Sequence, residues 1–273
     1  MLGAIIGDIV GSRFEKKPKV GNKGFTLITE RSRFTDDTVL TVAVADAILN
    51  GLSYESAIRQ YYKNYPNAGY GRAFKAWAQD DHAIAYESYG NGSAMRSSPI
   101  GWAFNSMERV VHEAIDSAVV SHNHPEGVKG SKAIAMAVYM ARQGCRKREI
   151  KEMVMGLGYP QLDGLFDAEH IGFDSSCQGT VPQAVWAFLV SKNFEDAVRT
   201  AVMMGGDADT IASMTGAIAH AYYKKIPQYM LDICMSMLPD DLLSITERFM
   251  RHVGQPLHYT RRDTTTPLFQ GVI

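Results

Sequence analysis

The chain is short of cysteine, of clustered basic charge and of long apolar runs, and each shortage removes a class of protein. Its three cysteines in 273 residues, Cys145, Cys177 and Cys234, form no CxxC pair and cannot all be disulfide-bonded. That argues against a disulfide scaffold and suits a reducing, cytoplasmic setting. Lysine plus arginine number 28 against 29 acidic residues, a formal charge of -1, with no basic stripe for nucleic acid or a membrane surface. Small molecules or proteins are therefore the expected partners. The opening "MLGAIIGDIVGSRFE" is apolar at first but lacks a basic leader, and Asp8 interrupts it well short of the roughly 20 residues of a membrane span. It reads as mature protein. Only 10 prolines occur, and no Pro/Ser linker, low-complexity tract or fixed-period repeat marks an internal boundary.

What is present is helical periodicity. Apolar residues recur at helical spacing over 38–49, 54–65, 107–120, 130–142, 149–156, 182–191, 194–204, 210–223 and 241–253. In "SYESAIRQYYKNY", Tyr54, Ile58, Tyr61, Tyr62 and Tyr65 form a stripe that reads as core, with Ser53 as the N-cap. Turn signals such as "NAGYG", "YGNGS", "NHPEG" and "LPDD" separate the helices, and only 20–30, with "FTLI", reads as a short strand or extended loop. The expectation is an all-α, compact single-domain globule over residues 1–253. Residues 254–273 are polar and proline-punctuated, an irregular tail that lies across the surface or frays.

Two details of the first helix stand out. Gly3, Gly7 and Gly11 recur every fourth residue, which makes a flat stripe where another backbone can approach closely. Asp8, Ser12 and Glu15 share a second face, which by itself reads as the solvated polar edge of a close-packed helix.

Acidic helix starts are the more demanding feature. "RFTDDTVL" places Asp36 and Asp37 between Thr35 and Thr38, and about 170 residues later "GGDADTIA" repeats the arrangement with Asp207, Asp209 and Thr210. Alone, either patch reads as helix capping, since aspartate and threonine are good N-caps and an acid gains roughly 0.3–1 kcal/mol from the helix dipole. "MMGGDADTIASM", however, places its carboxylates between two runs apolar enough to be buried, where an unpaired charge costs several kcal/mol. A cation is needed; no lysine or arginine lies among the acids of either patch, and the nearby Arg31, Arg33 and Arg199 are few against so many acids. The candidate ligand atoms are carboxylate and hydroxyl oxygens, which select a hard ion such as Mg²⁺ or Mn²⁺ over zinc. The EF-hand pattern is missing. With Glu15 the set offers five carboxylates, enough for two divalent ions roughly 3.5–4 Å apart.

Five ordered stretches, "GAIIGDIVGSRFE", "FTDDT", "YGNGSAMR", "SHNHPEG" and "GGDADTIA", resemble the ADP-ribosylglycohydrolase family over about residues 1–253. The resemblance implies the all-α fold of that family and a two-metal centre that cleaves the glycosidic bond joining the distal ribose of ADP-ribose to an acceptor. It implies Thr35, Asp36, Asp37, Asp207, Asp209 and Thr210 as metal ligands, and Glu15 in the place of a catalytic glutamate beside the metals, with Asp36, Asp37 and Asp209 part of the same catalytic machinery. Many relatives read DSDT where this chain has "DADT"; the altered residue, Ala208, is not among the ligands.

The same resemblance places ADP-ribose contacts at Ser12, Gly90, Asn91, Gly92, Ser93, Met95, His122, Gly127 and Gly130. Gly90 and Gly92 let the backbone approach a ligand, and Asn91 offers an amide to ribose hydroxyls. "SHNHPEGVKG" leads into a helix whose free N–H groups suit a diphosphate, with His122 beside it and His124 structural. Cys177 has no base near it in sequence and does not read as a nucleophile. Glu15 leans the acceptor away from modified arginine. Members of the family often act alone, so a monomer is expected. Two rival readings are a non-catalytic ADP-ribose-binding module and a magnesium-dependent prenyl-diphosphate enzyme; "DDTVL" and "DADTI" lack the second acid of a DDxxD pattern.

Overall fold

The computed structural model describes residues 1–16, 22–160, 162 and 172–261. In chain order its helices are α1 (Leu2–Gly11), α2 (Asp36–Asn50), α3 (Tyr54–Asn64), α4 (Arg72–Gln79), α5 (Gly92–Met95), α6 (Ser98–Ala103) and α7 (Met107–Val119). They continue with α8 (Pro125–Arg142), α9 (Lys147–Gly156), α10 (Cys177–Val190), α11 (Phe194–Met203), α12 (Ala208–Tyr223), α13 (Gln228–Ser236) and α14 (Asp240–His252). The expected all-α fold is the one observed. Among the described residues there is no strand, and a lone antiparallel bridge pairs Gly90 with Ser176. The part of 20–30 that is described, 22–30, consists of turns and bends rather than a strand.

The centre of the fold is the antiparallel contact of α1 with α12. A Cβ on Gly3, Gly7 or Gly11 would lie 2.0, 2.0 and 2.5 Å from the carbonyl oxygens of Gly216, Ala212 and Ala208 in turn. Both helices are thus stepped by four, and only hydrogen at the glycine Cα lets the two backbones touch. Ile5, Ile6 and Ile9 on the same helix are fully buried, each contributing about 1.5–3 kcal/mol to stability. α12 is buried along nearly its whole length, flanked by α8, α10 and α11. The face read as a solvated polar edge is corrected here: Asp8 is completely buried.

Local chemistry explains where the helix limits differ from expectation. α10 starts at Cys177 rather than 182, because Ser176 caps it by accepting from Gly179 N at 3.1 Å and Pro182 falls inside the helix. α8 starts at Pro125 rather than 130, with His124 Nδ1 accepting from Glu126 N at 3.1 Å and proline at the first position, where its missing N–H is harmless. α3 is capped by Ser53 as expected, and Ile58, Tyr61 and Tyr62 enter the core. Helices α4, α5, α6 and α13 carried too few periodic positions to be anticipated. Residues 254–261 are non-helical and lie against α13, Gln228 Nε2 donating to His258 O at 3.1 Å and Asp232 Oδ1 accepting from Thr260 N at 2.8 Å. The remainder of the tail falls outside the described residues. No helix is long and apolar enough to cross a membrane among them.

Candidate functional site

Three chain segments deliver oxygen atoms to one place. The start of α2 brings Thr35, Asp36 and Asp37, the start of α12 brings Asp207, Asp209 and Thr210, and α1 brings Asp8 between them. At α12 the chain must reverse out of α11 within a few residues. Gly205 and Gly206 do this with φ of 74° and 72°, a left-handed pair that residues with side chains rarely adopt.

Asp8 changes the meaning of the α2 start. Its Oδ2 accepts from the backbone N–H groups of Thr35 at 2.9 Å and Thr38 at 3.1 Å, and its Oδ1 accepts from Thr35 Oγ1 at 2.7 Å. Thr38 Oγ1 also donates to Oδ2. Thr35 Oγ1 in turn accepts weakly from Asp37 N at 3.3 Å. The free amides of the helix start are therefore satisfied from another helix and by Thr35, which leaves the Asp36 and Asp37 carboxylates without a capping task.

Asp8, Asp37, Asp207 and Asp209 are buried and Asp36 is half-buried, and their carboxylates crowd together. Asp8, Asp37 and Asp209 each place a carboxylate oxygen within 4.8 Å of the others. Asp37 Oδ2 accepts from Thr210 Oγ1 at 3.0 Å, whereas Asp37 Oδ1 is buried with no partner. Asp207 Oδ2 accepts from Asn91 Nδ2 at 2.7 Å. Burial lifts the Asp8 carboxyl to about 6, partly offset by its hydrogen bonds. Burial and then repulsion from Asp8 lift Asp36 to about 8. Asp37 and Asp209 rise well above the usual carboxylate range, first by burial and then by neighbouring acids, and Asp207 rises too, with burial as the leading cause. Among the described residues no ion pair reaches any of these five aspartates. An orphaned buried oxygen in an oxygen-only donor set fits a hard divalent cation.

The cluster forms the floor of a cavity of about 390 Å³. Of the residues singled out in the sequence, Glu15, Thr35, Asp36, Asp37, Asp207, Asp209 and Thr210 all line it, as do Gly90, Asn91, Gly92, Met95 and His122. Four others do not. Ser12 is buried and committed, donating to Ile9 O at 2.9 Å and accepting from Arg33 N at 3.1 Å. Ser93 Oγ donates to Gly127 O at 2.8 Å beneath the cavity wall. Gly127 and Gly130 belong to α8, where an added Cβ would meet Ser88 O at 2.6 Å and Cys177 Sγ at 2.3 Å. They are packing glycines, and the helix start read as a diphosphate cradle is capped by His124.

Sequence reasoning missed several residues here. Asp8 looked like an exposed edge, yet its place between two stripe glycines, one residue after Gly7 and three before Gly11, was a usable signal. Tyr86, Phe173 and Arg72 line the cavity and carried no local pattern; Arg33, weighed in the sequence only as a nearby counter-charge, lines it too. Gly69, read as a turn, lies where an added Cβ would meet Asp36 Oδ1 at 2.9 Å. Cys177 is buried, and burial pushes its thiol up to about 12, which keeps it protonated and inert.

The chain is all-α, with a carboxylate floor under a polar cleft. The chain belongs to the ADP-ribosylglycohydrolase family, whose model matches residues 1–257. It is similar to ADP-ribosylhydrolase ARH3 of Mus musculus, 27% identical over 89% of this chain and 88% of that protein. It is also similar to ADP-ribosylarginine hydrolase Tri1 of Pseudomonas putida (strain GB-1), 26% identical over 82% of this chain and 69% of that one. Among solved structures, an ADP-ribosylglycohydrolase-related protein complex superposes with a TM-score of 0.72 at 25% identity, covering 92% of this chain and 97% of its own.

Proposed function

We propose that this chain is a metal-dependent hydrolase that cleaves the bond between the distal ribose of ADP-ribose and an acceptor, reversing ADP-ribosylation. The observation that carries the proposal is the partnerless, buried Oδ1 of Asp37 among converging carboxylates on the floor of the cavity. Thr35, Asp36, Asp37, Asp207, Asp209 and Thr210 would hold two divalent cations, Mg²⁺ or Mn²⁺. When bound, such ions supply Lewis-acid stabilisation of ribose hydroxyls and acidify a water.

The protein's own residues supply the rest. Glu15 reaches the cavity from the loop after α1, pairs with Lys16 Nζ at 2.8 Å and stands near enough to Asp207 and Asp209 to repel them. It is the base that takes the proton of the attacking water as an oxocarbenium-like state forms at the ribose carbon. Asn91, fixed by its bond to Asp207 and by its backbone N–H to Ser175 O at 2.8 Å, orients ribose hydroxyls. Gly90 and Gly92 keep the wall beside His122 open: a Cβ on Gly92 would lie 2.9 Å from His122 Nε2. A volume of about 390 Å³ lies in the ordinary range for small-molecule pockets. With three free cysteines, the chain suits work in the cytoplasm, and we take it to act as a monomer.

A panel of mono-ADP-ribosylated acceptors (arginine, serine, acetyl ester, nucleobase) and poly-ADP-ribose tests the reading. Release of ADP-ribose by the wild type with Mg²⁺ or Mn²⁺, its loss in EDTA, and its loss in a folded Asp36→Ala variant are the expected outcomes. Glu15 favours acceptors other than arginine as the best substrates. Unchanged turnover after chelation refutes the metal role, and ADP-ribose binding without any turnover turns the reading to a binding module.

A further inference from the structure

Behind the cavity wall lies a chain of polar groups that the proposed chemistry does not use. Arg96, at the end of α5, is completely buried, and its Nη2 donates to Ser117 O at 2.6 Å and to Ser121 Oγ at 3.0 Å. Ser121, also completely buried, lies 2.8 Å from His122 Nδ1. His122 is nearly buried, yet lines the cavity, its Nε2 beside Gly90 and Gly92.

The direction of these bonds follows from proton counting. A guanidinium only donates, so Ser121 Oγ accepts from Arg96 and keeps its own proton to give. Among the described residues, that buried hydroxyl has no acceptor for its own proton other than His122 Nδ1. A buried hydroxyl proton without an acceptor is costly, so Nδ1 takes it as a lone-pair acceptor. A neutral imidazole whose Nδ1 accepts carries its proton on Nε2.

We propose that Arg96 and Ser121 are positioning residues that lock His122 in the Nε2–H tautomer, so that the ring presents a fixed donor to an anionic oxygen of the ligand. Within the function proposed above, on which this part rests, that oxygen is a diphosphate oxygen of ADP-ribose. Burial, and then the Arg96 charge, hold His122 far below the usual histidine range, so the ring stays neutral at working pH. Arg96 itself, lowered to about 10 by burial, remains charged there. The arrangement thus offers a neutral donor in front and a permanent positive charge behind, which favours an anion over a neutral ligand.

Long-range ¹H–¹⁵N spectra of histidine side chains test this directly, with His122→Gln identifying the signal. The wild type should show Nε2 protonated and Nδ1 bare. Ser121→Ala should release the tautomer into a mixture or invert it, and Ser121→Thr should restore it. In calorimetry with ADP-ribose, Ser121→Ala should weaken binding about tenfold, with Ser121→Thr near wild type and Mn²⁺ affinity unchanged in both. Arg96→Met should disturb the tautomer as well; should that variant fail to fold, the two serine variants decide. A wild-type ring protonated on Nδ1, or a tautomer unmoved in folded Ser121→Ala, overturns the lock. Equal ADP-ribose affinity in wild type and Ser121→Ala overturns its role in binding. The expected tautomer pattern in a protein that does not bind ADP-ribose at all upholds the lock and refutes the function proposed above.

Discussion

The starts of α2 and α12 carry nearly the same side chains and are held by different means. At α2, Thr35 is an extended N-cap and Asp8 reaches across from α1 to accept from two backbone amides and two hydroxyls. At α12 no side chain caps the helix; Asp207, the N-cap residue, is tethered instead by Asn91, and Asp209 Oδ1 accepts from its neighbour's amide, Thr210 N, at 3.0 Å. One acidic start is a structural joint that also turns two carboxylates toward the cavity. The other is a set of carboxylates aimed by a glycine turn and one amide. Matching composition therefore does not mean matching energetic roles.

The most disruptive way to break the comparison is to push the helices that bear it apart. Gly7→Val would drive a side chain into Ala212 O, and a loss of roughly 3 kcal/mol or more is expected, read as a fall in denaturant midpoint or a failure to fold. Next, Asp8→Ala strands two amides and two hydroxyls at the α2 start, for an expected loss of about 2–4 kcal/mol in urea unfolding. A midpoint near wild type would show that the joint is not at α2.

Proton linkage gives an intermediate effect. Asp8 and Asp36 have folded pKa values of about 6 and about 8 against 3.8 for a free carboxyl, so between those values the folded state binds more protons than the unfolded one. Stability of the metal-free protein should fall as pH rises from about 4 to about 8 and level off above. The gain in melting temperature from added Mn²⁺ should grow across the same window, since cation and proton compete. Asp37→Asn sharpens this by removing one buried charge: its melting temperature in EDTA at pH 8 should exceed wild type, and the Mn²⁺ gain should vanish. Melting temperatures that are flat with pH in EDTA would argue against crowded buried carboxylates. Smallest is Asn91→Ala, which leaves the α12 start in place and is expected to cost about 1 kcal/mol or less in stability while reducing turnover, so that its ratio to Asp8→Ala measures the asymmetry between the two starts.

Much of this was legible in the chain. The long helices announced themselves through periodicity, the glycine stripe through its spacing, and both acidic starts through charge set in apolar surroundings. Asp8 was not legible as a buried cap, because its four donors come from Thr35 and Thr38, far away in sequence. Gly127 and Gly130 misled for a related reason: a glycine needed for packing against Ser88 and Cys177 looks the same in one dimension as a glycine needed for a ligand. Arg96 gave no sign either, since an arginine's burial depends on acceptors, Ser117 O and Ser121 Oγ, that only folding supplies. Short helices such as α4 and α13 owe their existence to neighbours more than to pattern.

The glycine seam between α1 and α12 bears on how much the acidic cluster can move. Main-chain atoms in hard contact at three successive turns leave no slack for sliding, so the two halves are brought face to face during folding. On the function proposed above, an arriving cation would meet a preassembled receptacle, and its binding energy would go into affinity rather than into drawing helices together.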